Sequence, residues 1–191
     1  MTLDNGEWAL LDTTFAMLRE SALAQPTVTV HRDYHSRNLL VPTDSVRAGA
    51  EIVRPGVIDF QDAVSGPVTY DLVSLLKDCY IEWPAARVEK WTECFRQQAR
   101  DAGLHNADPD TFQQWFELMG MQRHLKAAGI FARLDIRDGK PGFLKDIPRT
   151  VCYLVHASGR QPALRHFHEW LIDRVVPAIE ANIGSVETHP S

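Results

Sequence analysis

Eight consecutive polar or ionisable residues, His31-Arg32-Asp33-Tyr34-His35-Ser36-Arg37-Asn38, run straight into the apolar pair Leu39-Leu40. Neither a helical nor a strand period hides an apolar face within such a run, so it must be a loop that its neighbours hold in place. Those neighbours read as short strands. Thr27-Val28-Thr29-Val30-His31 is β-branched, and Asn38-Leu39-Leu40-Val41 and Gly56-Val57-Ile58-Asp59-Phe60 are brief apolar runs bounded by turn residues. Pro42 to Pro55 is polar and reads as an exposed connection, with Ile52-Val53 its only strand-like piece.

The rest of the chain carries a helical period. Trp8, Leu11, Phe15, Leu18 and Ala22 make one stripe from Glu7 to Ala24, ending before Pro26. Tyr70 to Trp83 places Leu72, Val73, Leu75, Leu76 and Cys79 on one side, and Pro84 suits the first turn of a helix that stops at Gly103. Asp108-Pro109 opens a helix carrying Phe112, Trp115, Phe116, Met119 and Leu125 to about Leu134, although Gly120 and Gly129 weaken the pattern. Asp135 to Lys145 reads as a charged loop, Ile147 to Ala157 as a helix, and Pro162 to Ile183 as a last amphipathic helix. The expected fold class is α+β, mainly α, with a small β-hairpin carrying the polar loop and a frayed tail over 185–191.

Composition removes several classes of function. Twenty Lys and Arg against 25 Asp and Glu leave a net charge of −5, whereas a nucleic-acid binder needs a basic face to displace counterions. Cys79, Cys94 and Cys152 are odd in number and form no CxxC pair, which fits reduced thiols and a cytoplasmic location. The N-terminus lacks a basic segment followed by an apolar one, and no uncharged stretch is long enough to span a membrane.

The chemistry concentrates where the helical pattern breaks. Asp33 followed five positions later by Asn38, with Asp59 at the end of a paired strand, can converge on one point. A hydroxyl nucleophile needs a carboxylate to accept its proton, and Mg²⁺ takes hard oxygens from an amide and a carboxylate while leaving positions for water and phosphate. His31, Asp33 and His35 could instead be read as ligands of a hydrolytic metal. That reading fits less well, because Mg²⁺ prefers oxygen and no further ligand stands at zinc-like spacing.

At HRDYHSRNLL, then VIDF, then TYDL, the sequence resembles the aminoglycoside phosphotransferase and choline kinase branch of the protein-kinase-like superfamily. The resemblance implies ATP and Mg²⁺ as cofactors, Asp33 as catalytic base, and Asn38 and Asp59 as metal ligands. It departs from protein kinases at Gln61 and His35, and both departures favour the small-molecule branch, where His35 would contact the transferred phosphoryl group. Leu40 and Ile58 would line the nucleotide pocket, with Leu40 as the adenine floor. His31 and Asp71 would support the loop, Asp71 by accepting amide hydrogens from it. The stretch QRHLKAAGIFARLDIRDGK, from Gln122 to Lys140, and the later FLKDIPR look like the bacterial anomeric kinases of N-acetylmuramate and N-acetylglucosamine. An amino-sugar C1 hydroxyl in cell-wall recycling is then the implied acceptor, with aminoglycosides or choline as alternatives.

On this resemblance residues 1–184 are a kinase-like C-terminal lobe, with catalytic and metal loops at 31–62 and a helical acceptor region at 70–183. Trp83 is a candidate for stacking on a sugar, as are Trp115 and Phe131. Arg123, His124 and Lys126 offer cations for the N-acetylmuramate carboxylate, although a solvated helix face accounts for the same residues. No GxGxxG loop and no VAIK-like strand occurs in the sequence, so the ATP-clamping N-terminal lobe is expected to be absent or supplied in cis or in trans. A catalytically silent lobe that binds a sugar or a partner is the alternative of a different class.

Overall fold

The β-branched run after Pro26 and the apolar pairs that follow it do form strands. In the computed structural model, which describes residues 2–42 and 54–186, these are β1 (Thr27–Val30), β2 (Leu39–Leu40), β3 (Gly56–Val57) and β4 (Val64–Pro67). They make two antiparallel pairs, β1 with β4 and β2 with β3, Val30 lying opposite Val64 and Leu39 opposite Val57. The expected strand piece Ile52-Val53 and the tail from residue 187 lie outside the described residues. The chain divides into a continuous unit, Gln25–Gln113, and a discontinuous one made of Met1–Ala24 and Gln114–Ser191.

In the continuous unit the strands are shorter than the sequence suggested. β1 stops at Val30 because the next two amides turn to a side chain, and β3 stops at Val57 because Asp59 has a φ of 66°, outside extended space. β4 was not anticipated, since its sequence Val-Ser-Gly-Pro is poor in strand formers. Gly66 is tolerated there for a packing reason: a Cβ at this position would lie 2.7 Å from Val30 Cγ2.

Three helices begin in this unit. Helix α1 (Asn5–Leu23) belongs to the discontinuous unit; here α2 (Tyr70–Leu76) follows β4, then α3 (Ala85–Asp101), then the first residues of α4 (Pro109–Asp138). α2 is about two turns shorter than its apolar pattern, which runs on to Trp83. The cause is Asp78, whose carboxylate accepts the Tyr80 N–H at 2.8 Å, while the Trp83 indole N–H donates to the Leu75 carbonyl at 3.2 Å and closes the helix end. α3 ends as expected at Gly103, which has a φ of 73°. Buried His105 then locks the turn, its Nε2 donating to the Arg96 carbonyl at 3.0 Å and its Nδ1 accepting from Ala107 at 3.1 Å.

The discontinuous unit is helical. α1 (Asn5–Leu23) starts two residues earlier than its apolar stripe, because Asp4 and Glu7 form a reciprocal capping box at 2.8 and 2.9 Å. Its buried face is Leu11, Thr14 and Leu18, while Trp8 and Phe15 stay 54% and 47% exposed. Thr14 can be buried because its hydroxyl donates to the Leu10 carbonyl at 2.9 Å. α4 passes through Gly120 and Gly129 without a break and outlasts its expected end. It closes at Gly139, which has a φ of 62° and returns its N–H to the Asp135 carbonyl, and a 3₁₀ segment Pro141–Asp146 replaces most of the expected charged loop.

After α5 (Ile147–Gly159), the expected single helix is three pieces preceded by the 3₁₀ turn Pro162–Leu164: α6 (Arg165–Trp170), a π-type stretch Leu171–Val175, and α7 (Val176–Asn182). Pro177, at the start of α7, has no N–H for the helical ladder, and the irregular turn sits just before it. Leu154, Leu164, Phe167 and Leu171 are almost fully buried, where α5 packs on α6 and α1 packs on α6. Glu7 ties the two ends of this unit together, accepting from Trp170 Nε1 at 2.9 Å and lying 3.1 Å from Arg174 Nε. No helix among the described residues is long and apolar enough to cross a membrane.

Two stability measurements test these contacts. Gly66→Ala forces a methyl against Val30 and should destabilise the chain by about 1–3 kcal/mol in urea, while Ala63→Gly, in the exposed turn before β4, should cost less. The Arg96 guanidinium fork at 2.6 and 2.7 Å, joined by the Gln97 amide, holds the Glu93 carboxyl at about 2, below its ordinary 4.5. A carboxylate depressed on folding contributes stability above its unfolded pKa, and that contribution is lost as the pH falls from about 4.5 towards 2. Glu93→Gln should therefore flatten the pH dependence of the urea midpoint in that window.

Candidate active site

The nesting of one strand pair inside the other fixes where the polar loop goes. Residues 31–38 leave β1 for β2 and residues 58–63 leave β3 for β4, so the two connections run side by side. Cross-loop bonds hold them there: His31 Nε2 donates to the Ile58 carbonyl at 2.9 Å, and the Ile58 N–H donates to the Asn38 carbonyl at 3.1 Å.

The loop's own backbone is strained and then clamped. Arg32 has a φ of 79°, an uncommon state for a residue with a Cβ. Asp71, in the first turn of α2, accepts the N–H of His31 at 2.6 Å and of Arg32 at 3.1 Å, one carboxylate oxygen for each. The amides that would have continued β1 are thus satisfied by a charged acceptor, which makes a stronger bond than a neutral one. His31 is 9% exposed, edge-on to Tyr34, and its Nδ1 has no partner among the described residues. A second acid anchors the loop's far side, as buried Asp78 accepts the Ser36 N–H at 2.9 Å.

Within this frame the Asn38 side chain links the backbone of Asp33 to the carboxylate of Asp59. Asn38 Nδ2 donates to the Asp33 backbone carbonyl at 2.9 Å and lies 3.5 Å from Asp59 Oδ2. Its N–H also closes the one-turn 3₁₀ segment Ser36–Asn38 onto His35. The backbone at Asp59 (φ 66°) leaves the strand, and its other oxygen accepts from Gln61 Nε2 at 2.7 Å. An amide against an exposed carboxylate is a hard-oxygen donor pair. It fits Mg²⁺, a cation that takes few protein ligands and keeps its remaining positions for water and phosphate. His31, Asp33 and His35 do not make a competing centre: among the described residues no three or more His, Cys, Asp or Glu gather to hold a metal.

The other expected residues fall in different places. The His35 N–H donates to the Asp33 carbonyl at 3.0 Å and its ring lies edge-on to Tyr80, 5.4 Å between centroids. Leu40 and Ile58 are 54% and 42% exposed beside the loops. Trp83 is half-buried and edge-on to Trp91 at 5.2 Å. Arg123 and His124 lie on α4 in the discontinuous unit, where His124 is buried and stacked flat on Tyr153 at 4.5 Å. The sequence did not single out Asp78, Tyr80 or Arg37. A lone acid within the apolar Leu75-Leu76-Lys77-Asp78-Cys79-Tyr80 run was the available signal.

Residues 2–115 match the model of the phosphotransferase enzyme family. The chain is also similar to the N-acetylmuramate/N-acetylglucosamine kinase of Pseudomonas putida, 45% identical over 174 residues, which cover 91% of this chain and 49% of the relative. The proteins of that name from Neisseria meningitidis and Pseudomonas aeruginosa are 46% and 45% identical, covering 87% and 81% of this chain and 47% and 44% of theirs. The chain thus spans about half the length of the curated relatives it matches.

The double role of Asp71 has a measurable cost. Asp71→Ala removes two charge-assisted bonds from a strained backbone and should destabilise the continuous unit by about 3 kcal/mol. Amide hydrogen exchange at His31 and Arg32 should accelerate more than at β1 residues. Unchanged protection at these two amides would disprove the clamp.

Proposed function

The chain belongs to the phosphotransferase enzyme family, and on that premise we propose that it takes part in ATP-dependent phosphorylation of a small-molecule hydroxyl. The acceptor we infer is the anomeric hydroxyl of an amino sugar, N-acetylmuramate or N-acetylglucosamine, in cell-wall recycling. Similarity over nine-tenths of this chain to a relative named for those two sugars supports the acceptor. The observation that carries the chemistry is that the Asn38 side chain meets both the Asp33 backbone carbonyl and the Asp59 carboxylate where the two nested loops run side by side.

In this reading Asp33 orients the acceptor hydroxyl and takes its proton as the new bond to phosphorus forms. Asn38 and Asp59 would hold Mg²⁺, which when bound offsets negative charge on the nucleotide phosphates. His35 would meet the transferred phosphoryl group, and Leu40 and Ile58 would offer apolar surface to the nucleotide base. His31, Asp71 and Asp78 hold the loop, so that the reacting groups need little reorganisation. The residues here supply the base and the metal ligands, and the cover over the phosphates is assigned to sequence outside this chain, in cis or in trans. A cytoplasmic setting agrees with the ATP requirement and with Cys79, Cys94 and Cys152 standing outside any disulfide.

A coupled ADP-release assay with Mg-ATP and N-acetylmuramate, N-acetylglucosamine, choline or kanamycin tests the reading. Turnover is expected on the amino sugars, and Asp33→Asn should lower it by about 10² to 10⁴ with unchanged circular dichroism. Full activity in Asp33→Asn would remove Asp33 from the base role. Turnover confined to choline or kanamycin would overturn the acceptor assignment.

A further inference from the structure

Next to Asn38 the same loop carries a cation that the chemistry above does not use. The guanidinium carbon of Arg37 lies 3.5 Å from the centroid of the Tyr80 ring, and Arg37 is exposed. Among the described residues it forms no ion pair with a carboxylate. Its platform is fixed from below: Asp78 accepts the Ser36 N–H just before Arg37 and the Tyr80 N–H beneath the stack, one oxygen each, at 2.9 and 2.8 Å. Both bonds go to neutral amides. The Asp78 charge is buried at 2% exposure, so it steadies the platform without pairing with the guanidinium.

Stacking occupies the flat face of a guanidinium and leaves its N–H edge open, the edge that takes a carboxylate in bidentate fashion. An arginine already held against a ring also loses less side-chain freedom when an anion arrives. Its position selects which anion. Asn38 turns to Asp59, on the side assigned to metal and phosphate, whereas Arg37 stacks on Tyr80, in the segment after α2. The acceptor named by the relatives comes in two forms that differ in one respect relevant here: N-acetylmuramate carries a lactyl carboxylate that N-acetylglucosamine lacks.

We propose that Arg37, held on Tyr80, is the specificity-determining cation that receives a carboxylate on the acceptor sugar. The inference rests on the amino-sugar reading above and deepens it. Arg37 is a binding residue in this account and has no part in the proton transfer.

Equilibrium binding of each sugar to the full chain, measured by calorimetry without nucleotide, provides the test. The ratio of N-acetylmuramate to N-acetylglucosamine affinity should fall about tenfold or more in Arg37→Gln, the loss expected for a charge-assisted pair. Arg37→Lys should restore only part of it, because an ammonium neither forks nor stacks as a guanidinium does. If wild type binds both sugars and the ratio is unchanged in Arg37→Gln, the inference falls while the amino-sugar reading stands. Weakened Mg-ATP binding with an unchanged ratio would reassign Arg37 to the phosphates and equally overturn it. Wild type binding neither sugar would overturn the acceptor reading and the inference together.

Discussion

One carboxylate governs the geometry of this molecule's polar loop. Asp71 accepts two successive amides, and the second belongs to Arg32, whose backbone sits in the left-handed region. A residue with a Cβ occupies that region at a cost of order 1 kcal/mol or more, so the conformation persists only where surrounding bonds over-determine it. The reversal at Arg32 ends β1 and starts the polar run on its course. The placement of Asp33, one residue later, and the closure of Asn38 back onto the Asp33 carbonyl both follow from it.

The second constraint is topological. With β2–β3 nested inside β1–β4, the two connecting segments are neighbours however short the ladders are, and the inner ladder has only two residue pairs. Such a ladder has little stability of its own. It is held by bonds across the loops, from His31 to the Ile58 carbonyl and from Ile58 to the Asn38 carbonyl. Loops and sheet therefore support each other, and the bonds that join the two loops also keep the short strands in register.

Much of this was legible in the sequence where the signal is local. Asn38 does reach both the Asp33 backbone carbonyl and the Asp59 carboxylate, and Gly103 ends α3 where a left-handed glycine is needed. Features that depend on distant partners were not legible. The Leu72 to Cys79 pattern continues as a helix on paper, yet Asp78 spends its carboxylate on Ser36, 42 residues away, and the helix stops at Leu76. β4 is written in Ser, Gly and Pro, and becomes a strand only because β1 is there to pair with it. The Arg37–Tyr80 stack joins two residues with no shared period, so neither position stood out. Pro177 was readable in principle, but a stripe of Leu, Phe and Trp overrode it in the reading of the last helix.

The discontinuous unit has a temporal consequence. Glu7 finds Trp170 across 163 residues, so the N-terminal helix must wait for the last part of the chain before its capping acid gains that partner. Gln25–Gln113, by contrast, is one uninterrupted stretch, complete as soon as it leaves the ribosome. During vectorial synthesis at about 5–20 residues per second, the segment with the nested loops has several seconds to organise before α5 exists. α1 spends the same interval as an amphipathic helix without its docking surface. Contacts of the continuous unit can thus form early, whereas those of the discontinuous unit wait for the segment that carries Trp170, and their closure is a unimolecular step of large sequence separation.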